Sequence, residues 1–367
     1  MRIFHKECLA LSQSGYDVEL AAHTLEGESL DPSVRVRSLG PYGKSTLAWR
    51  VKERIRRCRT AYSLALGSEA SLFHFHCPEF IPWAMRLRLK KKAPIVFDCM
   101  EDFEGYVRQR LGIPNALRGG IAAGTSQLLK IAARRCDAVI VADEGTGKFF
   151  RPHARKVVVV HNFPDLSVFP DPGPTLAPQE YDLVYHGSLP RYHLEAFLNI
   201  DEALLRRGYA AKWRLLGNMP NRDWFMSELE NRRISERFHV TGLLPHGQVA
   251  REICKARMGI IPLPSLPKFQ NNIPMKLFEF MALRMPVVLS DLPPSRVFVG
   301  DQRCALMVSP KDYDAYASAI LSLAGNENLR KQMGASGRAR VENEYNWKKE
   351  SQKLLDLYVE LLSESSR

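Results

Sequence analysis

The sequence predicts an α/β protein built from two doubly wound, Rossmann-like halves facing across a cleft. Three observations carry that expectation. Short β-branched runs alternate with amphipathic stretches, a proline- and glycine-rich segment interrupts the alternation near the middle, and the alternation then restarts. With 367 residues the chain is long enough to bury two separate cores.

The opening, "MRIFHKECLALSQSGYDVEL", reads as a helix followed by a strand. A doubly wound half normally starts with a strand, so the first strand of this one is expected to be missing. "DVELAAH" (17–23), "APIVFDC" (93–99), "DAVIVAD" (137–143) and "KVVVVHN" (156–162) are near-continuous apolar runs of the kind found in buried parallel strands. "FPDPGPTLAPQEY" suits a linker. After it, the strand candidates are "YDLVYHG" (181–187), "AKWRLLG" (211–217), "RFHVTGLL" (237–244), "MGIIPL" (258–263), "PVVLSD" (286–291) and "CALMV" (304–308). The tail "NWKKESQKLLDLYVELL" (346–362) has the apolar spacing of an amphipathic helix. The expected division is a first half over 1–170, a linker over 171–180, a second half over 181–345, and a final helix over 346–367 that packs back on the first half.

Composition excludes several classes. No apolar run approaches the roughly 18 residues of a spanning helix, and the start is too polar for a signal peptide. Seven cysteines without a CxxC pair indicate neither a zinc cage nor a disulfide framework, which fits a reducing, cytoplasmic compartment. The formal charge of +12 is concentrated in 44–59 and 86–92. Ala48, Val51, Ile55 and Cys58 form an apolar stripe among the cations of the first cluster, the pattern of a helix lying on an anionic membrane; a solvated helix face is the alternative. No nucleic-acid-binding module is present, so no nucleic-acid partner is expected.

"SLGPYGKST" (38–46) looks like a phosphate-binding loop, with "IVFDCMED" as its magnesium-binding strand. However, Ser38 stands where the pattern wants glycine or alanine, and Pro41 removes an amide from the phosphate cradle. A true P-loop predicts that Lys44→Ala abolishes nucleotide binding. No GxGxxG follows any strand. His74 and His76 stand two apart at a strand end with Glu79 close by, but a third metal ligand at suitable spacing is missing, so no metal is expected and a polar cleft lining is the favoured reading. Glu101, Asp102 and Glu104 follow another strand. At that edge of a parallel sheet they could accept hydrogen bonds from a polyhydroxylated ligand, or cap the next helix.

In "YHGSLPRYH", Gly187 and the small Ser188 allow a ligand close to the backbone, and Arg191 could pair with phosphate. "NNIPMKLFEFMALRMPVVLSD" (271–291) places Lys276 and Glu279 within a short apolar helix, with Pro274 at its first position. A loop entering a helix, here Asn271, Asn272, Ile273 and Pro274, presents amides to an anion, and a carboxylate one turn on offers two acceptors to a ribose diol. Together they are the chemistry of a nucleoside diphosphate.

"RIFHKECLALSQSGYDVEL", "HFHCPEF", "FDCMEDF", "VVVHNFPDL", "YHGSLPR", "IPMKLFEFMALRMPVVLSD" and "YNWKKESQKLLDLY" occur in the order seen in one family. The chain resembles the GT-B glycosyltransferases, specifically the retaining group 1, GT4-like enzymes of bacterial polysaccharide assembly. The resemblance implies a UDP- or GDP-sugar donor held mainly by the second half, a lipid-linked or glycan acceptor entering from the first, and no cofactor or essential metal. It implies a donor site of Gly187, Ser188, Arg191, His193, Asn271, Asn272, Ile273, Pro274, Lys276 and Glu279, with Glu279 on the ribose. Arg191 would stabilise the departing phosphate and join Glu101 and Asp102 as the catalytic set; His76, Glu79 and Met100 would line the acceptor side.

Several positions depart from the family pattern. Met100 replaces a histidine, Asn271 a glutamate and Cys77 an aspartate; His193 stands where a second cation is expected, and Arg284 replaces a glycine. Two readings follow: an active enzyme at the inner face of the cytoplasmic membrane, or a degenerate homologue acting as a non-catalytic partner protein.

Overall fold

The computed structural model describes residues 2–23, 31–40, 47–100, 103, 115–173, 179–270, 274–300 and 303–365. The chain divides into two compact units, Met1–Asn162 with Lys348–Arg367, and Phe163–Trp347.

The first unit opens with a π-helical turn, Ile3–Cys8, running into α1 (Leu9–Gln13). β1 (Val18–Ala22) and β2 (Val34–Ser38) pair in parallel as a separate two-stranded sheet. β2 adds to the expected strands: its Val-Arg alternation buries Val34 and exposes Arg35 and Arg37, which reach Asp17 and Glu19 on or beside β1. α2 (Leu47–Gly67), β3 (Phe73–Phe75), α3 (Ile81–Lys90), β4 (Ile95–Cys99), α4 (Asn115–Arg135), β5 (Ala138–Val141), α5 (Glu144–Phe150) and β6 (Val157–Val159) follow. The strands form an all-parallel sheet in the order β3-β4-β5-β6. Among the described residues nothing pairs β1 with β3, so the parallel sheet of this unit is in two pieces. Phe75 stacks on Phe97 at 4.9 Å, and Phe97 meets Phe150 edge-on, on the apolar face of that sheet. Asp143 caps α5 by accepting from the Thr146 amide at 2.7 Å.

The second unit holds β7 (Tyr181–His186), α6 (Arg191–Leu205), β8 (Trp213–Leu216), α7 (Arg222–Asn231), β9 (Phe238–Thr241), α8 (His246–Ile253), β10 (Ala256–Ile261), α9 (Met275–Ala282), β11 (Val287–Ser290), α10 (Pro293–Val299), β12 (Ala305–Val308), α11 (Tyr313–Ala324) and α12 (Glu327–Asn343). Its six parallel strands run in the order β12-β11-β10-β7-β8-β9. The chain therefore winds outward from β7 in one direction and returns at β10 to wind in the other. The β7/β10 junction is a topological switch point, where ligands of open parallel sheets bind at the carboxyl ends of the strands. The sheet is covered on both faces, by Tyr185, Phe197, Trp213 and Tyr316 on one and by Val184, Leu277, Phe278 and Leu289 on the other.

The unit boundary differs from the sequence expectation of 1–170. Phe163 and Phe169 are buried in the second core, Phe163 lies 4.6 Å from the Phe278 ring, and the Phe169 carbonyl accepts from Arg338 at 3.1 Å. Aromatic burial thus pulls residues 163–170 into the second unit; of the expected linker 171–180, residues 174–178 lie outside the described set. The final helix, α13 (Trp347–Ser365), belongs from Lys348 onward to the first unit, where Glu350 accepts from the His161 amide at 2.8 Å and Tyr358 meets Tyr16 edge-on.

Arg284, which replaces the family's glycine, does adopt the left-handed conformation, with φ 54°. Its guanidinium is held by both carboxylate oxygens of Asp171 at 2.6 and 2.7 Å. A left-handed non-glycine residue costs about 1–2 kcal/mol, and a half-exposed pair returns about 0–1 kcal/mol. Arg284→Gly loses the pair and the strain together, whereas Arg284→Ala loses the pair and keeps the strain. The glycine variant should therefore be more stable than the alanine variant by about 1 kcal/mol in urea unfolding; an alanine variant equal to or above it contradicts the left-handed assignment. Asp171 is lowered to about 2, first by the hydrogen bonds from Arg284. A depressed carboxyl contributes its stability above its unfolded pKa and loses it as pH falls toward the folded value, so the wild-type advantage over Arg284→Ala should fade between about pH 4 and pH 2.

Candidate functional site

The carboxyl end of β7 gathers the polar residues of the second unit. Gly187 has φ 108°, and a Cβ there would sit 2.7 Å from Cε of Lys276. Only glycine meets both conditions, and its absent side chain leaves the Lys276 ammonium against bare backbone. Lys276 lies in the first turn of α9, its Nζ 5.3 Å from the centroid of the Tyr185 ring. Burial lowers its pKa, and the neighbouring Glu279 carboxylate opposes that shift. Glu279 Oε2 approaches His186 Nε2 at 3.1 Å. Burial, with Lys276 adding to it, holds His186 at about 3, so the imidazole is neutral. The structure thus brings Gly187, Lys276 and Glu279 together and adds His186, which sequence reasoning passed over inside a run read as a strand.

The other expected donor residues are placed differently. Ser188 is exposed, and its carbonyl accepts from the Tyr185 hydroxyl. Arg191 is exposed at the start of α6, donates to Glu195 at 2.8 Å, and stacks its guanidinium 4.3 Å from the Trp224 ring centroid. His193 is buried with Nε2 at 3.0 Å from the Tyr185 hydroxyl. Pro274 caps α9 rather than occupying its first position, with its carbonyl accepting from Leu277. Asn271, Asn272 and Ile273 lie outside the described residues, as do Glu101, Asp102, Glu104 and residues 41–46 of the P-loop-like segment.

In the first unit, Glu79 is partly exposed and accepts from Arg54 at 2.7 Å, and Met100 follows β4 directly. His76 belongs to a buried polar cluster whose other members sequence reasoning did not join to it. His74 of β3 and His76 just after it lie two apart in the chain, beside Asp98 of β4. Arg2 donates to Glu7 at 2.5 Å and to Asp98 at 3.1 Å. His74 and His76 stack at 4.6 Å, and His74 Nδ1 lies 2.9 Å from the Tyr358 hydroxyl. Burial holds both imidazoles at about 3 and therefore neutral. Burial raises Asp98 as well, and the Glu7 charge adds to the rise while Arg2 opposes it. An aspartate inside an otherwise apolar strand was the signal available for this cluster.

Known proteins give the same assignment from another direction. Residues 2–168 match the model described as Glycosyltransferase Family 4, and residues 180–326 the model described as Glycosyl transferases group 1. A sucrose-phosphate synthase from Thermosynechococcus elongatus superimposes with TM-score 0.75 at 17% identity, covering 96% of this chain and 91% of that one. Anabaena HepE in complex with UDP and glucose gives 0.68 at 11% identity, covering 96% and 95%. S. aureus TarM in complex with Fondaparinux, alpha-GlcNAc-glycerol and UDP gives 0.63 at 15% identity, with 83% of this chain matched to 58% of that one. No curated protein matches the chain. The fold is GT-B, two Rossmann-like halves with parallel sheets. The chain belongs to the group 1, GT4-like glycosyltransferases.

Proposed function

We propose that this protein transfers a hexosyl group from a UDP- or GDP-sugar to a lipid-linked or polysaccharide acceptor, with retention of configuration and without a metal at the diphosphate. The observation that carries the reading is the meeting of Gly187, Lys276 and Glu279 at the switch point of the second sheet. A side-chain-free backbone beside a buried ammonium suits a diphosphate, and a carboxylate one turn along α9 suits a ribose diol. Fixed positive groups of this kind stabilise leaving-group charge without reorganising during the reaction. The complexes of Anabaena HepE and S. aureus TarM, both containing UDP, support the donor class. The non-catalytic partner reading draws no support from either family model.

Arg191 is assigned to the diphosphate on rotation away from Trp224, a stacking worth about 0.5–1 kcal/mol at an exposed site. Arg191→Ala should lower kcat at least tenfold with little change in donor affinity; unchanged turnover removes Arg191 from the catalytic set. The test of the function itself is a panel of nucleotide sugars offered with lipid-linked and polysaccharide acceptors. Nucleoside diphosphate release should depend on one donor and one acceptor class, and NMR of the product should show the donor's anomeric configuration. An inverted product overturns the retaining assignment.

The protein is further assigned to the inner face of the cytoplasmic membrane as a peripheral enzyme, through 44–59 and 86–92. Among the described residues no helix is long and apolar enough to cross a membrane. The support is the basic layer in which α3 packs between α2 and α4. Leu89 is 81% exposed among Arg88, Lys90 and Lys92, and α4 adds exposed Leu117 and Ile121 beside Arg118, with no acidic residue on α3 or α4. Leu89→Asp should weaken co-sedimentation with anionic vesicles while leaving nucleotide binding unchanged; unaltered sedimentation counts against this face.

A further inference from the structure

We infer that the buried cluster of Glu7, His74, His76 and Asp98 in the first unit is a binding site for a divalent transition metal of the zinc type, separate from the donor residues of the second unit. The four side chains each offer one ligand atom, all within 4.8 Å of one another. Individual approaches are closer: His76 faces Glu7 Oε2 through Nε2 at 3.5 Å and Asp98 Oδ2 through Nδ1 at 3.7 Å, only one of which it can give to a metal, and His74 Nε2 lies 3.8 Å from Asp98 Oδ2. Four ligands at zinc bond lengths of about 2.0–2.1 Å lie about 3.3 Å apart, so the near pairs are within a few tenths of an ångström of that spacing and the widest, at up to 4.8 Å, must close by about 1.5 Å.

A second, independent observation points into the same space. Glu7 Oε2, Asp98 Oδ1, His74 Nε2 and His76 Nδ1 are all buried and have no hydrogen-bond partner. Glu7 and Asp98 are 2% and 0% exposed, so water does not satisfy them from bulk. Buried polar atoms are nearly always met in folded proteins, and one ion shared among these four would meet them together. Arg2 holds Glu7 Oε1 and Asp98 Oδ2, so Asp98 Oδ2 is shared between the guanidinium and the histidines while Glu7 Oε2 and Asp98 Oδ1 are left without a hydrogen bond.

The surroundings orient the ligands as they do around known metals. When His74 donates Nδ1–H to the Tyr358 hydroxyl, its Nε2 lone pair faces the cluster, the arrangement in which an outer partner fixes a ligating tautomer. Two neutral imidazoles with two carboxylates select zinc-like ions over magnesium or calcium, which take oxygen ligands alone. The ligands come from the first turn of the chain, from β3 with its following residue, and from β4, so a metal would tie the opening helix to the sheet.

The experiment uses the full chain, stripped with EDTA, desalted, and titrated with Zn2+ or with Co2+. The expected result is about one equivalent of zinc retained by elemental analysis, a visible ligand-field band of tetrahedral Co2+, and a zinc-dependent rise in Tm. His74→Ala combined with His76→Ala should abolish all three. Cys8→Ser combined with Cys77→Ser, which removes the thiols next to Glu7 and His76 in sequence, should leave them intact. A folded wild-type protein that takes up no zinc overturns the inference whatever the variants do. Uptake that survives the histidine double variant, or that follows the cysteines, overturns it equally. A cluster held by Arg2 alone gives the first of these results.

Discussion

Glu279→Ala should weaken binding of the preferred nucleoside diphosphate about tenfold or more, roughly 1.4 kcal/mol. Glu279 is the only carboxylate that the described structure places against both the Gly187 turn and the first turn of α9, through its approach to His186 at 3.1 Å and its effect on Lys276. Alanine removes both acceptors for a ribose diol and leaves His186 neutral, so nothing compensates. The same change should move the unfolding midpoint far less than a core deletion, because the Glu279 side chain is 26% exposed. Isothermal titration separates the two effects. Full affinity in a folded Glu279→Ala protein removes this residue from the site.

Gly217→Ala should be among the most destabilising single changes in the second unit, at roughly 3–5 kcal/mol from backbone strain and overpacking together. Gly217 ends β8 with φ 127°, and a Cβ there would lie 2.1 Å from the Gly187 carbonyl oxygen. That neighbour is backbone, and its own strand end is held by the Gly187 amide on the Leu216 carbonyl at 2.8 Å, so it cannot swing aside. The variant therefore damages the donor turn and the sheet at once. Gly187→Ala, by contrast, meets the far end of Lys276, which can move, and should cost less stability while still displacing the ammonium. Chemical denaturation of both variants checks the order; Gly217→Ala matching wild type contradicts the close approach of the two strand ends.

Much of this arrangement was legible in the chain. Ten strands were visible as β-branched runs, most of them because strands buried on both faces need no polar alternation; β1 was read as buried but alternates half-buried and exposed residues in the two-stranded sheet. The donor constellation was legible because Lys276 and Glu279 interrupt an apolar helix, and because Gly187 ends a strand. β2 escaped notice because its Val-Arg alternation is that of a half-exposed edge pair rather than a buried run. His186 was hidden inside a run read as a strand through Gly187. The unit boundary was misplaced because prolines mark where a chain turns, whereas Phe163 and Phe169 mark where it is buried.

The cluster in the first unit was the least legible feature. His74 and His76 were recognised as a pair and set aside for want of a third ligand. Their companions stand far off along the chain, Glu7 in the first helical turn and Asp98 in an otherwise apolar strand. Only the parallel register of β3 and β4, together with the packing of the opening helix, brings them into one space. Distance in sequence is what spacing rules for metal sites cannot see.

The central claim is that the second unit holds a nucleoside diphosphate. The most direct test is calorimetric titration of the wild-type protein with UDP, GDP and ADP in the presence of EDTA. The account predicts saturable binding of UDP or GDP, preferred over ADP, with no requirement for added metal. No heat from any of the three, with a protein shown to be folded, contradicts it.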